Sequence, residues 1–342
     1  MAAQISQVND QIGKKSKVSL RLDNLNAFDV HTYFHQLTIN QSLTELKIIC
    51  HTKIEDVNDY LIDLLAQQSN IRCLDLSSIE LPNQNFNQLI DQLISYPALT
   101  EFHLMIGSFS GQMIIRIFDL IQLNSSLRSF HLIGFHLPKY FLIHLLESLK
   151  VNRSIRHLNL QCSIDDSAVI YFVNHLKLTA IVELVTPHVG NRSLFNHLNK
   201  LTQLTHLTIH EYVSAECLTH LANFVSQQTN LTYLSLRCDA ATNLSCLIAA
   251  VQRNLLTCSI RLINQSTHPH QQADQIQQIM LRNRRLQVEG WTIQNHVHYP
   301  DLHASIQSIF LLRSIDPSLS LLPNEILFLI FNCLCGSKLK VI

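Results

Sequence analysis

One spacing dominates this chain. The pattern apolar-x-x-apolar-x-apolar starts at residues 43, 71, 99, 127 and 155, with 28 residues between successive starts. The matches are Leu43/Leu46/Ile48, Ile71/Leu74/Leu76, Leu99/Phe102/Leu104, Leu127/Phe130/Leu132 and Ile155/Leu158/Leu160, followed by Leu204/Leu207/Ile209 and Leu231/Leu234/Leu236. Weaker copies stand at Leu20/Leu22, Ile181/Leu184 and Leu255/Cys258/Ile260. A period of this length marks an array of stacked units, none of which buries its apolar face alone. Within each unit the triplet alternates with period two, as a short strand requires, and the stretch after it turns to helical spacing. After the turn Leu81-Pro82-Asn83, for example, Phe86, Leu89, Ile90, Leu93 and Ile94 fall on one helix face. Similar stripes recur at Tyr60/Leu61/Leu64/Leu65, Ile114/Ile117/Phe118/Ile121, Phe141/Leu145/Leu146/Leu149 and Leu218/Leu221/Phe224/Val225. The pattern predicts an open α/β solenoid over residues 17–288, in about ten units that become irregular after Leu160, with a parallel sheet inside and helices outside. Residues 1–16 are expected to form a lead and 289–342 a helical C-terminal region.

Composition supports a packed array. The 342 residues include 57 Leu but only 7 Gly and 8 Pro, too apolar for a disordered chain and too poor in turn residues for a β-sandwich. Lys plus Arg and Asp plus Glu both number 25, so no global field draws the protein to nucleic acid or an acidic membrane. The basic groups Lys14, Lys15, Lys17, Arg21 and Arg282, Arg284, Arg285 read as solvated ends. The first residues carry no signal-peptide core and no run of ~18 apolar residues occurs, so no membrane span and a cytoplasmic location are expected. Nine cysteines, odd in number and without a CxxC pair, fit reduced thiols. Cys50, Cys162 and Cys238 share the eighth position of the repeat and read as small buried residues. In that setting, glycosylation-like triplets such as Asn124-Ser-Ser and Asn230-Leu-Thr have no glycan to carry.

These residues resemble the leucine-rich repeat family, and the 28-residue strand-helix unit is most similar to its ribonuclease-inhibitor class. The resemblance implies a protein-binding horseshoe. It departs from the family at the ninth repeat position, where Asn or Cys is replaced by Ile79, Gly107, Phe135 and Ser163, so the turns are expected to be bonded in another way. On the concave face the third positions read Glu45, Cys73, Glu101, Ser129, His157, Glu183, His206, Tyr233. The fifth positions read Lys47, Asp75, His103, His131, Asn159, Val185, Thr208, Ser235. The expected protein-binding surface is the middle and late part of this face: His103, His131, Arg156, His157, His206, His210, Tyr233 and Arg237.

Neither catalysis nor a cofactor is expected. The chain lacks a GxGxxG or GxxxxGK[ST] phosphate loop, a GxSxG elbow and an HExxH helix. His268-Pro-His270 and His296-x-His298 offer two ligands each without an identifiable third, so no metal is expected there.

The period fades after Arg285. Trp291 and His296 to Pro300 read as a capping turn, and Asp301 as the N-cap of a helix carrying Leu302, Ile306, Ile309, Phe310 and Leu312. The segment 321–342 opens Leu-Leu-Pro-Asn-Glu-Ile-Leu-Phe-Leu-Ile-Phe-Asn-Cys-Leu and resembles the start of an F-box. That resemblance implies docking to the adaptor subunit of a cullin ubiquitin ligase through Leu322, Pro323, Ile326, Leu327 and Ile330. On this reading the chain is a non-enzymatic interaction scaffold, a substrate receptor of the ligase whose concave face selects the target. Its amide-rich, glycine-poor composition is similar to that of bacterial effectors that mimic host F-box proteins in the host cytosol. The alternative is a stand-alone binding module or inhibitor whose C-terminal helix only caps the solenoid.

Overall fold

Each apolar triplet forms a strand. A computed structural model describes residues 15–23, 27–50, 56–79, 81–106, 110–186, 194, 197–238, 243–253, 259–263 and 275–281. The chain runs β1 (Lys17–Arg21), α1 (Ala27–Ile39), β2 (Glu45–Ile49), α2 (Val57–Gln67), β3 (Cys73–Ser78), α3 (Phe86–Ser95), β4 (Glu101–Ile106), α4 (Gly111–Leu123), β5 (Ser129–His136). It continues α5 (Lys139–Val151), β6 (His157–Ser163), α6 (Asp166–Leu176), β7 (Glu183–Val185), β8 (His206–Tyr212), α7 (Ala215–Gln227), β9 (Tyr233–Arg237), α8 (Ser245–Arg253), β10 (Ser259–Ile263). Two compact units divide at Val213/Ser214. In the first, β1 to β8 pair in chain order, every pair parallel. In the second, β9 and β10 are parallel, with Tyr233 opposite Ser259. The described residues thus form the expected open α/β solenoid of one strand and one helix per repeat. The capping turn, the helix from Asp301 and the F-box-like segment 321–342 lie outside the described residues.

Alternation decides what is buried. The second and third apolar residues of each triplet, such as Leu74/Leu76, Phe102/Leu104, Phe130/Leu132 and Leu158/Leu160, are wholly buried. The helix stripes meet them: Leu61, Leu64 and Leu65 of α2, Leu89, Ile90 and Leu93 of α3, and Leu145, Leu146 and Leu149 of α5 are buried too. Burying one such side chain contributes about 1.5–3 kcal/mol, so the stack of repeats supplies the core that a single unit lacks. Cys50, Cys162 and Cys238 are buried, in keeping with a small residue at the eighth position. Where the interval shortens to 23 residues between Ile181 and Leu204, β7 keeps only three residues and a one-turn 3₁₀ helix, Leu198–Lys200, precedes β8.

The turns are held from a place the ninth position did not reveal. Three residues before each triplet, at the helix C-cap, stands an amide that ties one repeat to the previous one. Asn124 Nδ2 donates to the Leu93 carbonyl at 2.8 Å, while its Oδ1 accepts from Ser126 N at 2.9 Å, Ser126 Oγ at 2.8 Å and Leu127 N at 2.8 Å. Asn152 repeats the arrangement one unit on, donating to the Ile121 and Asn124 carbonyls at 2.5 and 2.8 Å. Asn40 does the same toward Lys15 O and Ser42. Gln68 reaches Leu37 O at 3.2 Å, and Tyr96 donates its hydroxyl to Gln68 O at 2.8 Å. These groups satisfy the orphan carbonyls that every helix end exposes. Asn124-Ser-Ser is therefore a structural turn in this chain, with its side chain buried.

At the other end of each turn the backbone is equally regular. The second- and third-position amides both donate to the second-position carbonyl of the preceding repeat, as in Thr100 N and Glu101 N to Arg72 O at 2.8 and 2.9 Å. Helix starts use serine where the sequence supplies it: Ser110 Oγ accepts from Met113 N, and Ser214 Oγ from Cys217 N.

Candidate functional site

Strand geometry projects the third and fifth residues of each triplet to the face opposite the buried leucines. The register then lines them up in files. Glu45, Cys73, Glu101, Ser129, His157, Glu183 and His206 stand opposite one another, and so do Lys47, Asp75, His103, His131, Asn159, Val185 and Thr208. Both files are those read from the periodicity as far as β8; their expected last members, Tyr233 and Ser235, lie on β9 in the second unit.

At the centre of this face the side chains form one connected polar network. Glu101 Oε1 lies 2.6 Å from His103 Nε2 and 3.5 Å from His131 Nε2. The rings of His103 and His131 stack, centroids 3.8 Å apart and 7° from parallel. His157 meets His131 edge-on at 4.9 Å. Ser129 Oγ sits 2.8 Å from His131 Nε2 and 3.2 Å from His157 Nδ1. Asn159 Nδ2 donates to His131 Nδ1 at 3.0 Å, which leaves the ring proton on Nε2, facing Ser129 and Glu101. Glu183 extends the row, 3.8 Å from His157 Nδ1 and 3.6 Å from His206 Nδ1.

Burial and charge set the protonation states. His131 is only 9% exposed, and burial, together with the neighbouring His103 and His157 rings, lowers its pKa to about 3. The ring is neutral near pH 7, as its acceptor role toward Asn159 requires. His157 is also lowered, chiefly by burial. The hydrogen bond from His103 holds the Glu101 carboxyl below its ordinary range. Burial alone would raise Asp75, but the Lys47 ammonium at 2.8 Å and the Ser77 donors outweigh it and hold it low. The Cys73 thiol goes the other way, pushed up to about 12 by burial and by the nearby Glu101.

The expected binding residues are distributed unevenly. His103, His131, His157 and His206 are brought together on β4, β5, β6 and β8. His210 lies further along β8 at the seventh position, half-buried. Arg156 precedes β6, and its exposed guanidinium donates to the Ala180 carbonyl at 3.3 Å. Tyr233 and Arg237 lie on β9, in the second unit. The adaptor-binding residues Leu322, Pro323, Ile326, Leu327 and Ile330 lie outside the described residues. Cys73, Glu101, Ser129, Asn159 and Glu183 were not singled out from sequence, although Ser129, Asn159 and Glu183 are file neighbours of histidines that were. A ligand donor from each of Cys73, Glu101 and His103 lies within 4.8 Å of the other two, a grouping of metal-ligating types.

No protein-family profile matches the chain, and no curated protein does. Among solved structures it is similar to one described as leiomodin-1 actin-binding site 2 (ABS2), at 13% identity and a TM-score of 0.28, over 60% of this chain and 95% of that one. A score that low carries no argument about partners. Among the described residues no helix is long and apolar enough to cross a membrane. What places this chain is its own register: a leucine-rich-repeat-like α/β solenoid.

Proposed function

We propose that the chain is a non-enzymatic protein-recognition module whose sheet face receives a protein partner. The observation that carries this reading is the pair of in-register files from Glu45 to His206 and Lys47 to Thr208, polar at most positions. Parallel strands hold these groups at fixed spacing, so a partner meets a surface that loses little conformational entropy on binding. The carboxylates Glu45, Asp75, Glu101 and Glu183, set against the single ammonium of Lys47 and interspersed with imidazoles, give that surface hydrogen-bonding specificity and an acidic balance that favours basic groups on a partner.

The finer form of the proposal makes the chain a substrate receptor of a cullin-type ubiquitin ligase acting in the cytosol, in the manner of a bacterial mimic of a host F-box protein. Leu322, Pro323, Ile326, Leu327 and Ile330 would dock the adaptor subunit, and the sheet face would select the target. The sequence of segment 321–342 supports this reading. The test is a binding assay between the purified chain and the purified adaptor, run beside Leu322→Ala/Pro323→Ala with its thermal unfolding measured. Micromolar or tighter binding, lost in a variant that melts like the parent, supports the receptor. Absence of binding, with a variant that melts much earlier, returns the segment to a cap on a stand-alone binding module.

A further inference from the structure

We propose that Cys73, Glu101 and His103 form a three-donor site for a divalent transition metal, zinc above all, on the face of β3 and β4. The proposal is independent of the recognition reading and rests on placement. Cys73 and Glu101 are register partners on adjacent parallel strands. His103 is two residues beyond Glu101 and so emerges on the same face. One thiol, one carboxylate oxygen and one ring nitrogen thus lie within 4.8 Å of one another without any backbone change. Tetrahedral zinc with bonds near 2.0–2.3 Å needs donor separations of about 3.3–3.5 Å. Side-chain rotation that opens the Glu101–His103 contact from 2.6 Å and closes the wider gaps brings the donors into that range, and the proton on the coordinating ring nitrogen moves through solvent to the other ring nitrogen, so that His103 binds as a neutral imidazole.

The surroundings favour the site in two ways. First, the ligand ring is held. His103 stacks on His131, and His131 is itself fixed by Asn159 and Ser129. Such outer support is what gives metal-binding imidazoles their orientation. Second, the charges balance. Binding releases the Cys73 proton to solvent, and the thiolate and the Glu101 carboxylate together neutralise a dication while His103 stays neutral. The three donors thus go from a net charge of −1 to a neutral site on a half-buried face, which limits the desolvation cost. The donor set selects the metal: calcium and magnesium require oxygen cages, whereas thiolate with imidazole suits zinc and its spectroscopic substitute cobalt. Three protein donors leave the fourth position to water or to an incoming side chain.

The test uses the full chain, reduced and stripped with chelator, titrated with Co²⁺ near neutral pH and then challenged with Zn²⁺. The expected result is one equivalent bound, with tetrahedral d–d bands and a thiolate-to-cobalt charge-transfer band that Zn²⁺ abolishes. Cys73→Ser should remove the charge-transfer band and His103→Ala should weaken binding at least about tenfold. A variant with His268, His270, His296 and His298 all changed to Ala should bind as the parent does. Circular dichroism reports folding, and Glu101→Gln, which preserves side-chain shape, carries the test if Cys73→Ser misfolds. A parent without the charge-transfer band, or a band that persists in Cys73→Ser, overturns the proposal.

Discussion

Replacing Asn152 with alanine should cost far more than its polar character suggests. The side chain makes five hydrogen bonds: Nδ2 to Ile121 O and Asn124 O, and Oδ1 from Ser154 N, Ser154 Oγ and Ile155 N. Three of the groups it serves, the two carbonyls and Ile155 N, are in buried bonds. Each buried group left unsatisfied costs about 1–3 kcal/mol, giving a range of about 3–9 kcal/mol before relaxation. Water admitted beside the shortened side chain brings the expectation to the lower end, about 3 kcal/mol. Asn199, exposed on the one-turn helix before β8, is the control, and its alanine variant should stay within about 0.5 kcal/mol of the parent. Equilibrium urea unfolding with the slope checked for constancy measures both. A loss below about 1 kcal/mol for Asn152→Ala would show that the amide files do not hold the repeats together, and the account of the turns would fall.

Three further outcomes follow from the same structure. His131 has a folded pKa below its unfolded value of about 6.5, so the unfolded chain takes up a proton that the folded one refuses. Its contribution is complete above about pH 6.5 and is lost as pH falls toward 3, at about 1.4 kcal/mol per pH unit. In chelator-treated protein this amounts to about 2 kcal/mol between pH 6.5 and 5, read from urea midpoints. His131→Gln should flatten the slope, and an equal slope in parent and variant would contradict the assignment. Phe130→Ala removes a fully buried ring that packs 6.2 Å from Phe102, and should cost about 3–5 kcal/mol by the same denaturation measurement. Ser110→Ala loses the cap to Met113 N and should cost about 1 kcal/mol; no change would show that the first turn of α4 is satisfied by water instead.

The periodicity made strands, helices and files legible because each follows from a count along one chain. Leu74 and Leu76 point inward and Cys73 and Asp75 outward whatever surrounds them, and parallel pairing without offset then places Glu101 beside Cys73. Two features escaped. The C-cap amides Asn40, Asn124 and Asn152 recur as Asn-x-Ser-Leu/Ile before the triplet, but part of their series is written as Gln68 and Tyr96, which do the same work with different atoms. A reading attached to residue type at one position cannot see a role that several types share. The other feature is burial on the open face. Alternation says that His131 points outward, but not that neighbouring files will cover it until 9% is left exposed.

That burial divides the face into two working layers. Asp75, His131 and Asn159 of the fifth-position file are nearly covered, and their polar atoms, Asn159 Oδ1 excepted, bond to Lys47, Ser77, Ser129 and one another. They orient their neighbours and offer little to an arriving surface. The third-position file is more open: the Glu101 and Glu183 side chains are about two-fifths exposed, with His157 and His206 beside Glu183 at 3.8 and 3.6 Å. A partner's lysine or arginine that reaches Glu183 replaces two imidazole contacts in partial solvent, an exchange of weak exposed interactions for a charge-assisted one. On the proposed recognition reading, discrimination between partners therefore falls on the third-position carboxylates, and substitutions there should change affinity while leaving the fold intact. Changes at His131 or Asn159 should act on stability first.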